Sequence, residues 1–324
     1  MSKFLKNTFL FSLIVLIIHL LFSFCANSYI DDYYGKLSNG HKNSLVIGTS
    51  RALQGIVPSI VDSTIGIQEP KLYNFAFTLS SSPFGKVYYD AIAKKISSEQ
   101  TGKYSIISID PWSISENQFL YSIEKLDHSS VLFQLDNVTS HPNFEYLYDK
   151  YPDGWGNIIM KRAETSLLIK NAKKLNKNFA GSFSFINQDG YLKVYASLDE
   201  NVVAKKTSEK LKLYQELADS SKVSEHRMSF LLKIISLLKK QGDVYLVRLP
   251  VHEEMLQIEQ NYMPDFDIIM TEAISLSNGF YDMTNLDHNF KFTDGNHLEK
   301  SSSKIVSMKI GKWIKALNKQ AAFN

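Results

Sequence analysis

The sequence predicts an α/β protein of three layers, in which helices cover both faces of a five-stranded, mostly parallel sheet. Five short apolar runs support this prediction, and stretches with helical periodicity separate most of them. The runs are residues 45–47, 72–77, 104–109, 244–249 and 280–283. They are rich in Val, Ile, Leu, Phe and Tyr, as is typical of strands buried on both faces. Strands of this kind that alternate with helices favour a parallel sheet.

The first 30 residues predict a membrane anchor. Lys3 and Lys6 precede an apolar segment over residues 8–26, and Asp31 and Asp32 follow it. About 20 apolar residues in a helix cross a bilayer. Lysines before the segment and acids after it favour a cytoplasmic start and an extracytoplasmic bulk of the chain.

A cleaved signal peptide is the alternative to a retained anchor. The residues Phe24-Cys25-Ala26 make a poor cleavage site, because Phe24 stands where a small side chain is preferred. We therefore expect an anchor over 1–30, a polar linker over 31–44 and one α/β domain over 45–324.

Three helices of the domain have clear sequence signals. The first starts at Ser82-Pro83, a capping serine before a first-turn proline, and continues over residues 84–96. The second covers residues 227–240 and stops at Gly242. The third covers residues 301–317, where six apolar residues fall on one stripe.

Residues 113–224 interrupt this alternation and predict an inserted α+β segment. We expect helices over 161–175 and 208–218 and a β-hairpin over 183–194. The segment is either a lid over the catalytic edge of the sheet or a packing appendage. The sequence leaves both readings open.

Composition excludes several classes of function. The net charge is +3 and both signs are mixed along the chain, which argues against a nucleic-acid partner. The single cysteine, Cys25, excludes an internal disulfide and a cysteine-based metal site. His252 is followed by two glutamates but lacks the second histidine of a zinc helix, so we assign it no metal. The expected chemistry, described below, requires no metal and no diffusible cofactor.

Two separated motifs carry the chemistry. Residues 45–55 read LVIGTSRALQG, which places Ser50 just past the first strand. Ligands of an open parallel sheet lie beyond the carboxyl ends of its strands. Asp294 and His297 lie three residues apart in the turn TDGNH before the last helix. A serine hydroxyl needs a base, usually a histidine oriented by a carboxylate, so Ser50, His297 and Asp294 are the predicted catalytic set. The alternative for Ser50 is a helix cap.

These motifs resemble the SGNH/GDSL hydrolase superfamily. GTSRA stands at the position of the family's first-strand nucleophile block, and DGNH at that of its C-terminal D-x-x-H block. The motifs GTSR and YNFAF, together with the anchor, make the chain resemble one membrane-anchored branch of this superfamily. That branch includes the D-alanyl transfer protein of teichoic acid synthesis and accessory alginate acetylation proteins. The resemblance implies a flavodoxin-like sheet, an acyl-enzyme on Ser50 and an oxyanion held by hydrogen-bond donors.

The chain departs from the family at the oxyanion donors. It has Ala76 near the place of the family's second-strand glycine, and IDPW where a G-x-N-D block is expected. Asn74 is the candidate replacement donor, and Arg51 or Arg248 could bind a charged substrate group. Structural alternatives are a loop contact for Asn74, a surface position for Arg51 and an ion pair with Asp282 for Arg248.

The predicted function is an envelope-side acyl-ester enzyme, an O-acyltransferase or an esterase, that acts on a bacterial cell-envelope glycan. Its expected partners are the glycan or acyl donor and a membrane-bound O-acyltransferase. Two alternatives remain: an esterase or thioesterase of small esters, and a non-catalytic binding or assembly factor.

Overall fold

The computed structural model describes residues 2–24, 33–67, 72–81, 84–96, 103–117, 132, 137–150, 167, 183–286 and 289–321. It divides into two compact units. The first comprises Met1–Gly40 and Leu135–Asn176, and the second comprises His41–Gln134 and Lys177–Asn324.

The first unit contains the apolar N-terminal helix α1 (Ser2–Ser23). Its first 20 residues, Ser2–Leu21, have the length and composition of a membrane span, and none of that window is buried. The apolar side chains of α1 are exposed and do not pack on a protein core, unlike those of a helix in a soluble domain. Helix α1 is therefore consistent with a membrane anchor or a signal sequence.

The stretch 31–44 is not a plain linker. It holds the short helix α2 (Tyr34–Ser38), in which Tyr34 and Leu37 are fully buried. The Tyr34 hydroxyl accepts a hydrogen bond from the backbone N–H of Asn143 at 3.0 Å, and the Asn143 amide donates to the Leu37 carbonyl at 3.1 Å. These contacts fold the predicted linker against a distant part of the chain within the first unit.

All five predicted strands are confirmed in the second unit, where they form one parallel sheet. The strands are β1 (Ser44–Ile47), β2 (Leu72–Asn74), β3 (Lys103–Ser108), β8 (Gly242–Arg248) and β9 (Gly279–Asp282). Their order across the sheet is β2-β1-β3-β8-β9, and every neighbouring pair is parallel. The chain thus winds one way from β1 to β2 and the other way from β3 onward, which opens a crevice between β1 and β3 at their carboxyl ends.

Among the described residues, two short strand pairs lie outside this sheet. They are the antiparallel pair of β4 (Ser115–Asn117) with β7 (Ser221–Val223), and the hairpin of β5 (Phe183–Ile186) with β6 (Leu192–Tyr195). The expected hairpin over 183–194 is therefore confirmed. Because β4 and β7 pair, the two ends of the inserted segment lie side by side.

Helices flank the strands throughout the described chain. They are α3 (Ser50–Gly55), α4 (Pro58–Ile65), α5 (Lys86–Lys95), α6 (Phe144–Lys150, in the first unit), α7 (Glu200–Ser220), α8 (Glu225–Lys239), α9 (Glu253–Tyr262), α10 (Phe266–Ile269), α11 (Thr271–Leu276) and α12 (Lys300–Ala321), with a 3₁₀ turn at Pro111–Ile114.

Most predicted helices are confirmed, with shifted ends. The helix expected over 208–218 is the second half of α7, whereas the one expected over 161–175 lies outside the described residues, apart from residue 167. Helix α5 begins at Lys86, and the predicted start at Ser82-Pro83 lies outside the described residues. Gly242 begins β8 and does not stop the helix before it, because α8 has already ended at Lys239.

We predict that the full-length chain stays with the membrane fraction after a carbonate wash, because α1 is long enough to cross a bilayer and is unburied. The measurement is immunodetection of pellet and supernatant, together with the intact mass of the purified protein. Release of the intact chain into the supernatant would contradict the anchor, and a mass that lacks the α1 residues would show that the segment is a cleaved signal.

Candidate active site

A tight turn after β1 delivers Ser50 to the carboxyl edge of the sheet. Gly48 has a φ of +146°, and a Cβ there would lie 3.0 Å from the Ser108 carbonyl oxygen on β3. A side chain would therefore be strained and crowded. Thr49 is the N-cap of α3 and Ser50 is its first residue, so the alternative reading of Ser50 as the cap is wrong.

A second turn presents the histidine. One carboxylate oxygen of Asp294, Oδ1, accepts hydrogen bonds from the backbone N–H groups of Asn296 at 3.1 Å and His297 at 2.9 Å. Gly295 supports this turn with a φ of +75°, and a Cβ there would lie 2.8 Å from the Thr207 side chain on α7. The turn is thus held by its own hydrogen bonds and by the inserted helix.

The two turns meet so that Ser50, His297 and Asp294 form one hydrogen-bonded chain. The Ser50 hydroxyl lies 2.8 Å from Nε2 of His297. The other ring nitrogen, Nδ1, lies 2.8 Å from Oδ2 and 3.1 Å from Oδ1 of Asp294. A carboxylate at Nδ1 favours the tautomer that carries its proton there, which makes Nε2 the acceptor nitrogen for the serine proton. Nε2 also lies 3.4 Å from the side-chain nitrogen of Asn296, a longer contact than the one to Ser50.

The charge of Asp294 is stabilised where it stands. Burial alone would raise the pKa of Asp294, but hydrogen bonds from the side chain and backbone of His297, with a smaller contribution from Lys210, lower it to about 2. The Lys210 ammonium lies 3.9 Å from Oδ2. Asp294 is therefore ionised at neutral pH and can stabilise an imidazolium.

A buried polar network lies beneath these three residues. Arg51, next to Ser50, donates to Oδ1 of Asn296 from Nε at 2.9 Å and from Nη2 at 2.6 Å. Its Nη1 lies 2.6 Å from Glu259 on α9, whose side chain is fully buried. Arg248 pairs with the same glutamate at 3.1 Å and with Asp282 at 3.7 Å.

The network corrects the role considered for the two arginines. Arg51 is 5% exposed and Arg248 is 7% exposed, and each guanidinium is engaged with Glu259. Neither is placed to bind a charged substrate group. The alternative of an ion pair between Arg248 and Asp282 is confirmed, whereas the surface position considered for Arg51 is wrong.

Asn74 is also not placed as an oxyanion donor. Its side-chain nitrogen donates to the Ala52 carbonyl at 2.9 Å and to the Ile56 carbonyl at 3.0 Å, so both amide hydrogens are used. Its side-chain oxygen accepts from the Ala76 N–H at 3.1 Å. Asn74 therefore braces the end of α3, in agreement with the structural alternative.

Three further residues complete the surroundings and were not among the predicted site residues. Glu259 had one sequence signal, since it follows the buried Met255 by four residues on the inner stripe of α9. Asn296 lies inside the DGNH motif, but its link to Arg51 is visible only in three dimensions. Asp110 caps the 3₁₀ turn by accepting from the Ser113 N–H at 2.9 Å, and burial raises its pKa although Arg51 opposes this.

No protein-family model, curated protein or solved structure matches this chain. The interpretation of the site therefore depends on its own geometry.

We predict that Asp294 contributes about 2 kcal/mol of stability that depends on pH. Its pKa falls from 3.8 to about 2 on folding, so this stability is present above pH 3.8 and is lost as the pH falls through about 2. Chemical unfolding of the detergent-solubilised protein from pH 5 to pH 2 should show Asp294→Asn approaching the wild type at the acid end. The exposed Asp219→Asn is the control, and an equally pH-dependent deficit there would contradict the prediction.

We predict that Arg51 and Asn296 are energetically coupled. A hydrogen bond to a charged group contributes about 1.5–3 kcal/mol, so a double-mutant cycle of Arg51→Met and Asn296→Ala should give a coupling in that range. The measurement is the free energy of unfolding of the four proteins. A parallel cycle of Arg51→Met with Lys315→Met, an exposed position on α12, should be additive. Additivity in the first cycle would mean that the contact does not stabilise the site.

Proposed function

We propose that this protein is a serine acyl-ester enzyme with Ser50 as nucleophile, His297 as general base and then acid, and Asp294 as the orienting carboxylate. The observation that carries the proposal is the 2.8 Å contact between the Ser50 hydroxyl and His297 Nε2, with Asp294 2.8 Å from the opposite ring nitrogen. These are the distances at which a serine is activated by a histidine and a carboxylate.

The proposed reaction has two halves. In the first, Ser50 Oγ bonds to the ester carbonyl carbon while its proton passes to Nε2. The tetrahedral intermediate then expels the alcohol, which takes that proton from Nε2, and the acyl group remains on Ser50. In the second half, water or an acceptor hydroxyl gives a proton to Nε2 and attacks the acyl carbon. The second tetrahedral intermediate then breaks its bond to Ser50 Oγ, which takes the proton back from Nε2. Asp294 stabilises the imidazolium in both halves.

The oxygen that becomes negative in this reaction needs hydrogen-bond donors. Ser50 is the first residue of α3, and the first amides of a helix have no acceptor within the helix. The Ser50 N–H therefore supplies one donor beside the reacting carbon. Asn74 does not supply a second, since its amide hydrogens are bonded to Ala52 and Ile56.

We assign the domain to the SGNH/GDSL type as part of this proposal. Three features support the assignment: a nucleophile directly after the first strand, a D-x-x-H turn before the last helix, and five parallel strands in a doubly wound order. The departure at the oxyanion donors distinguishes the chain from that pattern.

The proposed location is the extracytoplasmic face of the bacterial membrane, with an envelope glycan as the ester substrate or acyl acceptor. Support comes from α1, from Lys3 and Lys6 before its apolar part, and from Asp31 and Asp32 after it. Transfer and hydrolysis share the acyl-enzyme and differ only in whether a sugar hydroxyl or water attacks it.

We predict that a fluorophosphonate probe labels Ser50. The hydroxyl displaces fluoride from phosphorus, and peptide mass spectrometry should locate the adduct on Ser50. Labelling should be absent in Ser50→Ala and slower by about 10³-fold or more in His297→Ala, as expected when the base is removed.

The matched controls are Ser63→Ala and His41→Ala, which change an exposed serine and an exposed histidine in the same unit. Both should be labelled at the wild-type rate. Unlabelled, folded wild-type protein at saturating probe would exclude the proposed catalysis, and a loss below tenfold in His297→Ala would identify another base.

A further inference from the structure

A cleft beside the candidate active site has a volume of about 300 Å³. Asp294 and His297 line one side of it, and the β5–β6 hairpin lines another with Phe183, Leu192 and Val194. Lys206 of α7 also lines it. Its volume is at the lower end of the range for small-molecule sites, which suits one compact group.

The hairpin is a fixed wall of this cleft. The turn between β5 and β6 is held to the end of β2, because the Asn74 N–H donates to the Asp189 carbonyl at 2.9 Å. The next residue, Gly190, has a φ of +81°, and a Cβ there would lie 2.2 Å from the Asn74 carbonyl oxygen. The hairpin is thus packed against the sheet at its turn.

The charges around the cleft do not balance. The Asp294 carboxylate has His297 at 2.8 Å and Lys210 at 3.9 Å as partners. Lys205 lies 4.0 Å from Glu209 on the outer side of α7. Among the ion pairs of the described chain, none includes Lys206, whose side chain is half-buried. An unmatched ammonium in a partly desolvated cleft attracts an anion.

We propose that this cleft binds the alcohol half of the ester, and that Lys206 pairs with a carboxylate or phosphate carried by that half. This inference rests on the proposed function. His297 gives its proton to the leaving oxygen, so the alcohol must lie beside the imidazole, and His297 is one of the residues that line the cleft. The apolar side chains of the hairpin pack against the carbon skeleton of the alcohol, and Lys206 pairs with its negatively charged group. Arg51 and Arg248 cannot do so, because Glu259 holds both in the interior.

The test compares 4-acetoxybenzoate with its uncharged methyl ester on full-length enzyme. The selectivity is the ratio of kcat/KM for the anion to kcat/KM for the methyl ester. We expect Lys206→Gln to lower this selectivity at least about fivefold, which corresponds to an ion pair of about 1 kcal/mol. Comparison between variants cancels the intrinsic reactivity of the two esters.

Lys205→Gln is the matched control, because it removes the same charge one residue away on the outer side of α7. It should keep the wild-type selectivity. Equal selectivity in wild type and Lys206→Gln would overturn the inference, and so would an equal loss in Lys205→Gln. 4-Acetoxyphenyl phosphate distinguishes the two anions, since a larger loss of selectivity in Lys206→Gln for it than for the carboxylate identifies phosphate.

A binding measurement separates this inference from the catalytic proposal. Binding of 4-hydroxybenzoate and of methyl 4-hydroxybenzoate is followed by NMR on wild type and both lysine variants. If neither ester is turned over and Ser50 is not labelled, the proposed function fails, yet binding of the anion that weakens only in Lys206→Gln still supports the subsite. Binding that does not depend on Lys206 overturns it.

Discussion

The contact between Arg51 and Asn296 joins two parts of the chain that are 245 residues apart in sequence. Arg51 follows Ser50 and Asn296 precedes His297, so the contact holds Ser50 and His297 close together. A guanidinium can only donate hydrogen bonds, which requires the Asn296 oxygen to face Arg51 and its NH₂ group to face away. That NH₂ group lies 3.2 Å from the Tyr214 hydroxyl, which ties the turn to the inserted helix α7.

The two buried guanidinium groups are tolerated because Glu259 pairs with both and Asp282 lies 3.7 Å from Arg248. Removing one partner from a buried charge cluster typically costs about 3–5 kcal/mol, since the remaining charge is left without compensation. Glu259 also accepts from the Trp112 indole at 2.9 Å, and Trp112 packs edge-on against Tyr214. Helices α7 and α9 and the turn after β3 therefore form one support for the active-site turns. Because α7 belongs to the inserted segment, that segment helps to support the candidate site. From the sequence alone, a lid and a packing appendage were equally open interpretations of it.

The sequence was sufficient for the strands and for the three residues of the hydrogen-bonded chain. Short runs such as 45–47 carry a local signal of burial, and Asp294 and His297 belong to one turn whose spacing is itself informative. The partners of Arg51 and Asn74 could not be predicted in this way. Those of Arg51 are far away in sequence, and those of Asn74 include backbone carbonyls, which carry no sequence signal. A polar residue at the end of a strand looks the same in sequence whether it faces substrate or braces the neighbouring helix.

The three residues misassigned as ligand-binding share one physical cause. Asn74, Arg51 and Arg248 all lie at the carboxyl edge of the sheet, where long polar side chains can turn either outward to the crevice or inward beneath it. In this chain the inward direction is favoured, because α3 leaves two carbonyls for Asn74 and α9 supplies Glu259 for both arginines. The positive charge that remains for a ligand then comes from α7, through Lys206, and not from the sheet. The edge of the sheet thus sets the position of Ser50, while the inserted segment contributes Lys206 to the adjoining cleft.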